Sequence, residues 1–129
     1  MDRVAVVYLD THVAVRLYQG QTDLGAAARR SIERKRLLIS PAALLELEFL
    51  REIGRLRVSA AQVASILERD LGLAICDLPF HKIVERAVGE KWCRDPFDRL
   101  IVANALARGA GLITKDERIL RHYPLAVWD

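Results

Sequence analysis

Five acids stand where a carboxylate can do more than face water. Asp10 ends the apolar run Val4 to Leu9, and Asp116 follows Leu112 to Thr114 after Lys115. Ligands of open α/β sheets bind beyond the carboxyl ends of the strands, so these two carboxylates could converge at one edge. Each could equally cap the helix that follows it. Glu46 sits among Leu44, Leu45, Leu47 and Phe49, where an unpaired ionised carboxylate facing the core would be expensive. On an exposed flank or beside an arginine it would need no further explanation, and Glu48 shows that charge is tolerated nearby. Asp95 and Asp98 open a helix three residues apart, a pattern that also reads as a cap plus a charge favoured at a helix N-terminus. For Asp98, the apolar Leu100 to Ala103 bury the adjoining face and can aim the carboxylate inward. Gathered together, Asp10, Glu46, Asp98 and Asp116 would form a hard, oxygen-only pocket suited to Mg²⁺ or Mn²⁺ rather than zinc. Close like charges raise at least one carboxyl pKa, and a divalent cation relieves the repulsion while acidifying water. The chemistry that suits such a pocket is hydrolysis of a phosphate ester.

The elements that must position these acids can be read along the chain. Arg3 to Leu9 is a β-branched apolar run without alternation, as in a central parallel strand covered on both faces. Helices are predicted over His12 to Tyr18 and Asp23 to Lys35, then a strand over Leu37 to Ile39. Ser40-Pro41 starts a helix, with serine capping free amides and proline at the first helical position; Gly54 stops it. Ser59 caps another helix through Arg69, with Gly72 past its end, and Leu73 to Cys76 is a third strand. Pro79 opens a helix through Ala87, and Asp95-Pro96 one that Gly109 closes. A strand over Leu112 to Thr114, a short helix over Glu117 to Arg121 and a strand over Leu125 to Trp128 complete the pattern. Strands alternating with helices predict an α/β fold with a parallel sheet.

Composition sets the outer bounds. At 129 residues, 52% apolar and 29% charged, the chain suits one compact domain and excludes disorder throughout. The longest run free of Asp, Glu, Lys and Arg, Val58 to Leu67, falls far short of the roughly 20 residues of a membrane span. No secretory segment is legible before Asp10, which points to the cytoplasm. Cys76 and Cys93 lack Cys-x-x-Cys pairing and read as packed thiols. Twenty basic residues against 17 acidic give a net charge of +3, which permits a polyanionic partner without demanding one. Arg29 to Arg36 and Arg51 to Arg57 concentrate that charge; each stretch reads as a hold for nucleic-acid backbone or as a solvated helix face.

Four segments carry a resemblance: V-V-Y-L-D-T (6 to 11), I-S-P-A-A-L-L-E-L (39 to 47), R-D-P-F-D-R-L-I-V-A (94 to 103) and G-L-I-T-K-D (111 to 116). Their order and neighbourhoods resemble the PIN-domain ribonucleases, especially the VapC-type toxins of bacterial toxin–antitoxin pairs. The third and fourth segments are the specific part. The resemblance implies a single PIN domain over residues 1 to 129, with a five-stranded parallel sheet in 3-2-1-4-5 order flanked by helices. It places the metal-binding and catalytic acids on Asp10, Glu46, Asp98 and Asp116, and a more peripheral acid on Asp95. Thr11 and Thr114 fall where hydroxyls orient the acids, and Arg99 where a guanidinium meets the phosphate or holds a carboxylate. Relatives often carry His where Cys93 stands, and none of His12, His81 or His122 lies in a motif; His12 is expected toward solvent or a neighbouring helix.

By the same resemblance the protein is a Mg²⁺- or Mn²⁺-dependent endoribonuclease cutting tRNA or ribosomal RNA. It forms homodimers and is neutralised by a small antitoxin, for which Leu17, Tyr18 and Phe49 are apolar candidates. Asp10, Asp98 and Asp116 are expected to hold one or two ions, with Glu46 completing the cluster or activating water. Two other readings compete. A catalytically silent PIN module binding RNA or protein would need a distorted pocket. A receiver-like signalling domain is invited by Asp77 and Thr114-Lys115, but needs adjacent acids where this chain has Asp10-Thr11.

Overall fold

The computed structural model describes residues 5–129. The apolar run before Asp10 forms β1 (Val6–Leu9), which sits at the middle of the sheet and ends buried. The chain continues through α1 (Thr11–Tyr18), α2 (Ala26–Arg34), β2 (Arg36–Ile39), α3 (Pro41–Glu52), α4 (Ala60–Leu71) and β3 (Ala74–Ile75). It then forms α5 (Phe80–Gly89), α6 (Pro96–Arg108), β4 (Gly111–Ile113), α7 (Glu117–His122) and β5 (Ala126–Val127). The first residues of the predicted first strand, Arg3 and Val4, lie outside the described residues.

The five strands are parallel in the order β3-β2-β1-β4-β5, as expected. Leu9 is in register with Ile39 and with Ile113, so β1, β2 and β4 reach the same edge together. That shared register brings Asp10, Ser40 and Thr114 to one rim. The strands supply the largest buried side chains, including Tyr8, Leu9, Ile39, Leu112 and Ile113. Helices cover both faces: α5 packs on α6, while α1, α3 and α4 pack on one another and α3 also meets α6.

The helix boundaries follow their caps. Ser40 Oγ accepts from the Ala42 amide ahead of Pro41, and Asp95 accepts from the Phe97 and Asp98 amides ahead of Pro96. Gly72 and Gly109 end α4 and α6. The clearest differences from the sequence reading are at β3, β5 and α2. The outer strands β3 and β5 keep only two residues each, because each has a single neighbour to pair with. Helix α2 begins at Ala26 rather than Asp23, because Asp23 is held by Arg16 while the Ala28 amide donates to the Trp128 carbonyl at 2.9 Å. Arg34 and Arg36 flank the start of β2 and so lie at the amino edge of the sheet, opposite the rim that carries the acids.

Both cysteines are free and buried. Cys76 sits in a small polar cluster, accepting from the Tyr8 hydroxyl at 3.0 Å and the Asn104 amide at 3.1 Å.

Candidate active site

Asp10 is 2% exposed at the end of β1, and its position is over-determined. One carboxylate oxygen accepts from the Thr11 amide at 2.8 Å, which caps α1. The other accepts from the Thr114 hydroxyl at 2.7 Å, and Thr114 Oγ1 in turn accepts from the Asp116 amide at 3.0 Å. A carboxylate with both oxygens in use keeps its rotamer, so the strand end presents its charge in one direction.

Glu46, one turn into α3, turns toward Asp10 rather than to water, and the Thr11 hydroxyl donates to its Oε1. Burial pushes the Glu46 carboxyl up, and the Asp10 and Asp95 charges push it further, against the lowering effect of the Thr11 hydrogen bond. Asp98, in the first turn of α6, completes the group. Carboxylate oxygens of Asp10, Glu46 and Asp98 all lie within 4.8 Å of one another. Burial and then the charges of Asp10, Asp95, Glu46 and Asp116 raise the Asp98 carboxyl to about 7. Three carboxylates crowded at this distance, one of them raised to about 7, are chemically suited to a hard divalent cation. The residues present fit Mg²⁺ or Mn²⁺.

The remaining expected residues divide. Asp116 lines the same cavity, of about 470 Å³, but one of its oxygens caps α7, accepting from the Arg118 and Ile119 amides at 2.8 and 3.1 Å. The Thr11 hydroxyl donates to Glu46 and the Thr114 hydroxyl to Asp10. Asp95 is the cap of α6 and acts on the site through its charge on Asp98 and Glu46. Arg99 is a correction. Its guanidinium donates to the carbonyls of Ala87 and Val88 at 2.7 and 3.1 Å, closing the end of α5. With its planar fork engaged on helix carbonyls, Arg99 pairs with no carboxylate among the described residues.

Sequence reading missed part of the wall. His12 lines the cavity: its Nε2 accepts from the Lys115 amide at 2.8 Å, which leaves the proton on Nδ1, 3.5 Å from Asp10 Oδ2. The available signal was its place two residues after the strand-end acid, in the first turn of the helix that Asp10 caps. Arg16, Gln19 and Gln21 also line it, marked by no motif, and so does Arg55, from the Arg51 to Arg57 stretch read as a hold for nucleic-acid backbone or a solvated face. Of the apolar candidates for a partner, Leu17 and Tyr18 are half-buried against the core, whereas Phe49 is exposed with Leu45 and Ile53 beside it on α3.

A 3-2-1-4-5 parallel sheet whose carboxyl rim gathers acids from β1, α3 and α6 defines the class, and the chain belongs to the PIN-domain family, whose model matches residues 7–124. Within it the chain is similar to Ribonuclease VapC22 of Mycobacterium tuberculosis, 32% identical over 135 aligned positions that cover 97% of this chain and all of that one. Solved structures share the fold. VapBC2 from Rickettsia felis, bound to a promoter DNA fragment, matches with a TM-score of 0.65 at 21% identity, covering 96% of this chain and 99% of that one. A toxin-antitoxin complex from Klebsiella pneumoniae matches at 0.63 and 18%, covering 94% and 95%.

Proposed function

We propose that the protein is a divalent-metal-dependent endoribonuclease toxin of the VapC type, acting as one domain on tRNA or ribosomal RNA and neutralised by a small antitoxin. The observation that carries this reading is the convergence of Asp10, Glu46 and Asp98 within 4.8 Å at the rim of a PIN sheet. The 32% identity to a ribonuclease along nearly the whole chain supports it.

Asp10 and Asp98 would hold the cation, with Glu46 beside them and Asp116 at the cavity wall. A bound Mg²⁺ or Mn²⁺ supplies a Lewis acid that polarises a phosphoryl oxygen and acidifies water. The protein supplies orientation. Thr114 and the Thr11 amide fix Asp10, and the Thr11 hydroxyl fixes Glu46. Without a cation, burial and neighbouring acids raise both Glu46 and Asp98; with the cation held by Asp10 and Asp98, Glu46 would be the carboxylate left to take a proton from attacking water.

An antitoxin needs apolar surface beside the site, and Leu45, Phe49 and Ile53 offer a stripe along α3, the helix that carries Glu46. A second copy needs its own, and Phe80, Val84 and Val88 form a stripe along α5. No helix among the described residues is long and apolar enough to cross a membrane.

End-labelled tRNA and ribosomal RNA fragments incubated in Mg²⁺ or Mn²⁺, with EDTA and Asp98→Asn as controls, test the reading. Cleavage lost in both controls is expected. Cleavage that survives either control removes the acid cluster from the chemistry. If no RNA is cut and calorimetry detects no metal binding, a silent PIN module takes this reading's place.

A further inference from the structure

The cavity that holds the acids is also lined by residues at two helix ends that close in the same way. Gly20 (φ 72°) and Gly54 (φ 81°) adopt the left-handed conformation after α1 and α3. The Gly20 amide donates to the Leu17 carbonyl at 3.1 Å and the Gln21 amide to Arg16 at 3.0 Å. At α3, the Gly54 amide donates to Arg51 at 3.1 Å and the Arg55 amide to Leu50 at 2.8 Å. Each pair is a Schellman closure, which pins the residues around the glycine. Gln19, Gln21 and Arg55, placed in this way, all line the cavity.

Hydrogen-bond polarity along the end of α1 is set from one side. An arginine only donates. Arg16 Nη1 donates to both Asp23 oxygens, at 3.0 and 3.1 Å, and to Gln21 Oε1 at 3.2 Å. The oxygen of Gln21 therefore faces Arg16, and its nitrogen donates to Gln19 Oε1 at 3.0 Å. Among the described residues, nothing accepts from Gln19 Nε2, so the relay ends in an amide group with two free N–H bonds at the cavity wall.

The two arginines of that wall also differ. Arg16 is neutralised by Asp23 and lies 5.8 Å above the Trp128 ring. Arg55 pairs with no carboxylate among the described residues, so it is the cation whose charge is free for an incoming anion.

We propose that this wall is the subsite for the nucleotide next to the cleaved bond: Arg55 holds its phosphate, and Gln19 Nε2 reads a base edge that presents a carbonyl. Guanine (O6) and uracil (O4) present one there; adenine and cytosine present an amino group. Arg16 and Asp23 are positioning residues that act through Gln21. The inference rests on the ribonuclease reading and deepens it by stating what flanks the cut.

A pool of hairpin RNAs with randomised loops, cleaved in Mg²⁺ and sequenced at the new ends, is the test. It is run on wild type, Gln19→Glu and Arg55→Ala, with circular dichroism to verify folding and total cellular RNA as a parallel substrate. Wild type is expected to favour guanine or uracil at one position beside the cut. A glutamate there only accepts, so Gln19→Glu shifts that position toward adenine or cytosine, by roughly tenfold in relative rate. Arg55→Ala raises KM about tenfold with a smaller change in kcat, because it removes binding common to ground and transition state. A cut-site profile without base preference, or one unchanged in Gln19→Glu, overturns the base-reading role. An unchanged KM in Arg55→Ala overturns the phosphate contact. In both cases metal-dependent cleavage by wild type leaves the ribonuclease reading standing, whereas no cleavage of the pool or of cellular RNA by wild type removes that reading and the subsite with it.

Discussion

Asp98 is where the energetics of the site concentrate. Its carboxyl is raised from 3.8 to about 7 by burial and then by four neighbouring acids. Between those values the folded protein keeps a proton that the unfolded chain has released, so stability is withdrawn as pH rises through the window. In EDTA, the melting temperature of wild type should therefore fall relative to that of Asp98→Asn as pH rises from 4 to 7. A cation competes with that proton, so Mg²⁺ or Mn²⁺ should recover the loss at neutral pH and bind more tightly as pH rises toward 7. Equal slopes for wild type and variant would contradict this account. Thr114→Val isolates the orientation of Asp10. It strips a buried carboxylate oxygen of its 2.7 Å partner and should weaken metal binding on the order of 10- to 100-fold by calorimetry. Arg99→Ala separates structure from catalysis: losing the bonds to Ala87 and Val88 should cost about 1–2 kcal/mol in urea unfolding, with cleavage retained. At this scale the acids were legible because a carboxylate after an apolar strand, or among leucines, is conspicuous. The use of Arg99 was not, since nothing local reveals that the carbonyl end of α5 lies beside it.

The elements were legible largely through their ends. Ser40-Pro41, Asp95-Pro96, Gly54, Gly72 and Gly109 mark boundaries that the structure keeps, because capping is settled within a turn of the chain. Where an end depends on a distant partner, the sequence reading overran. Helix α2 loses its first residues to the Arg16–Asp23 pair, and β3 and β5 are cut to two residues by their place at the sheet edges. The glycine closures of α1 and α3 offer an element-level prediction. Gly20→Ala and Gly54→Ala put a Cβ into left-handed backbone and should each lower stability by about 1 kcal/mol in urea unfolding. Beyond the adjoining residues, no atom of the described chain lies within 4 Å of the added Cβ at either site, so the loss comes from the backbone rather than from a clash.

The molecule as a whole carries one apolar stripe along α3, the helix that also bears Glu46, and another along α5. If α5 is the homodimer face, light scattering should give roughly twice 14.6 kDa, and Val84→Asp with Val88→Asp should give the single-chain mass while metal-dependent cleavage persists. Unchanged mass in that variant would remove α5 from the interface. The amino-acid sequence by itself determined the alternation of strands and helices, the parallel sheet and the candidate acids, because hydrophobic period, caps and strand-end polarity are local properties of the chain. Only the tertiary structure decided which acids meet. The common register of β1, β2 and β4 sets Asp10 at the rim beside Thr114, and the packing of α1, α3 and α6 brings Glu46 and Asp98 to it. It also turned Arg99 away, brought His12 and Arg55 to the cavity and left the amide of Gln19 free. These outcomes depend on contacts between residues far apart along the chain, and such contacts exist only once the core has packed.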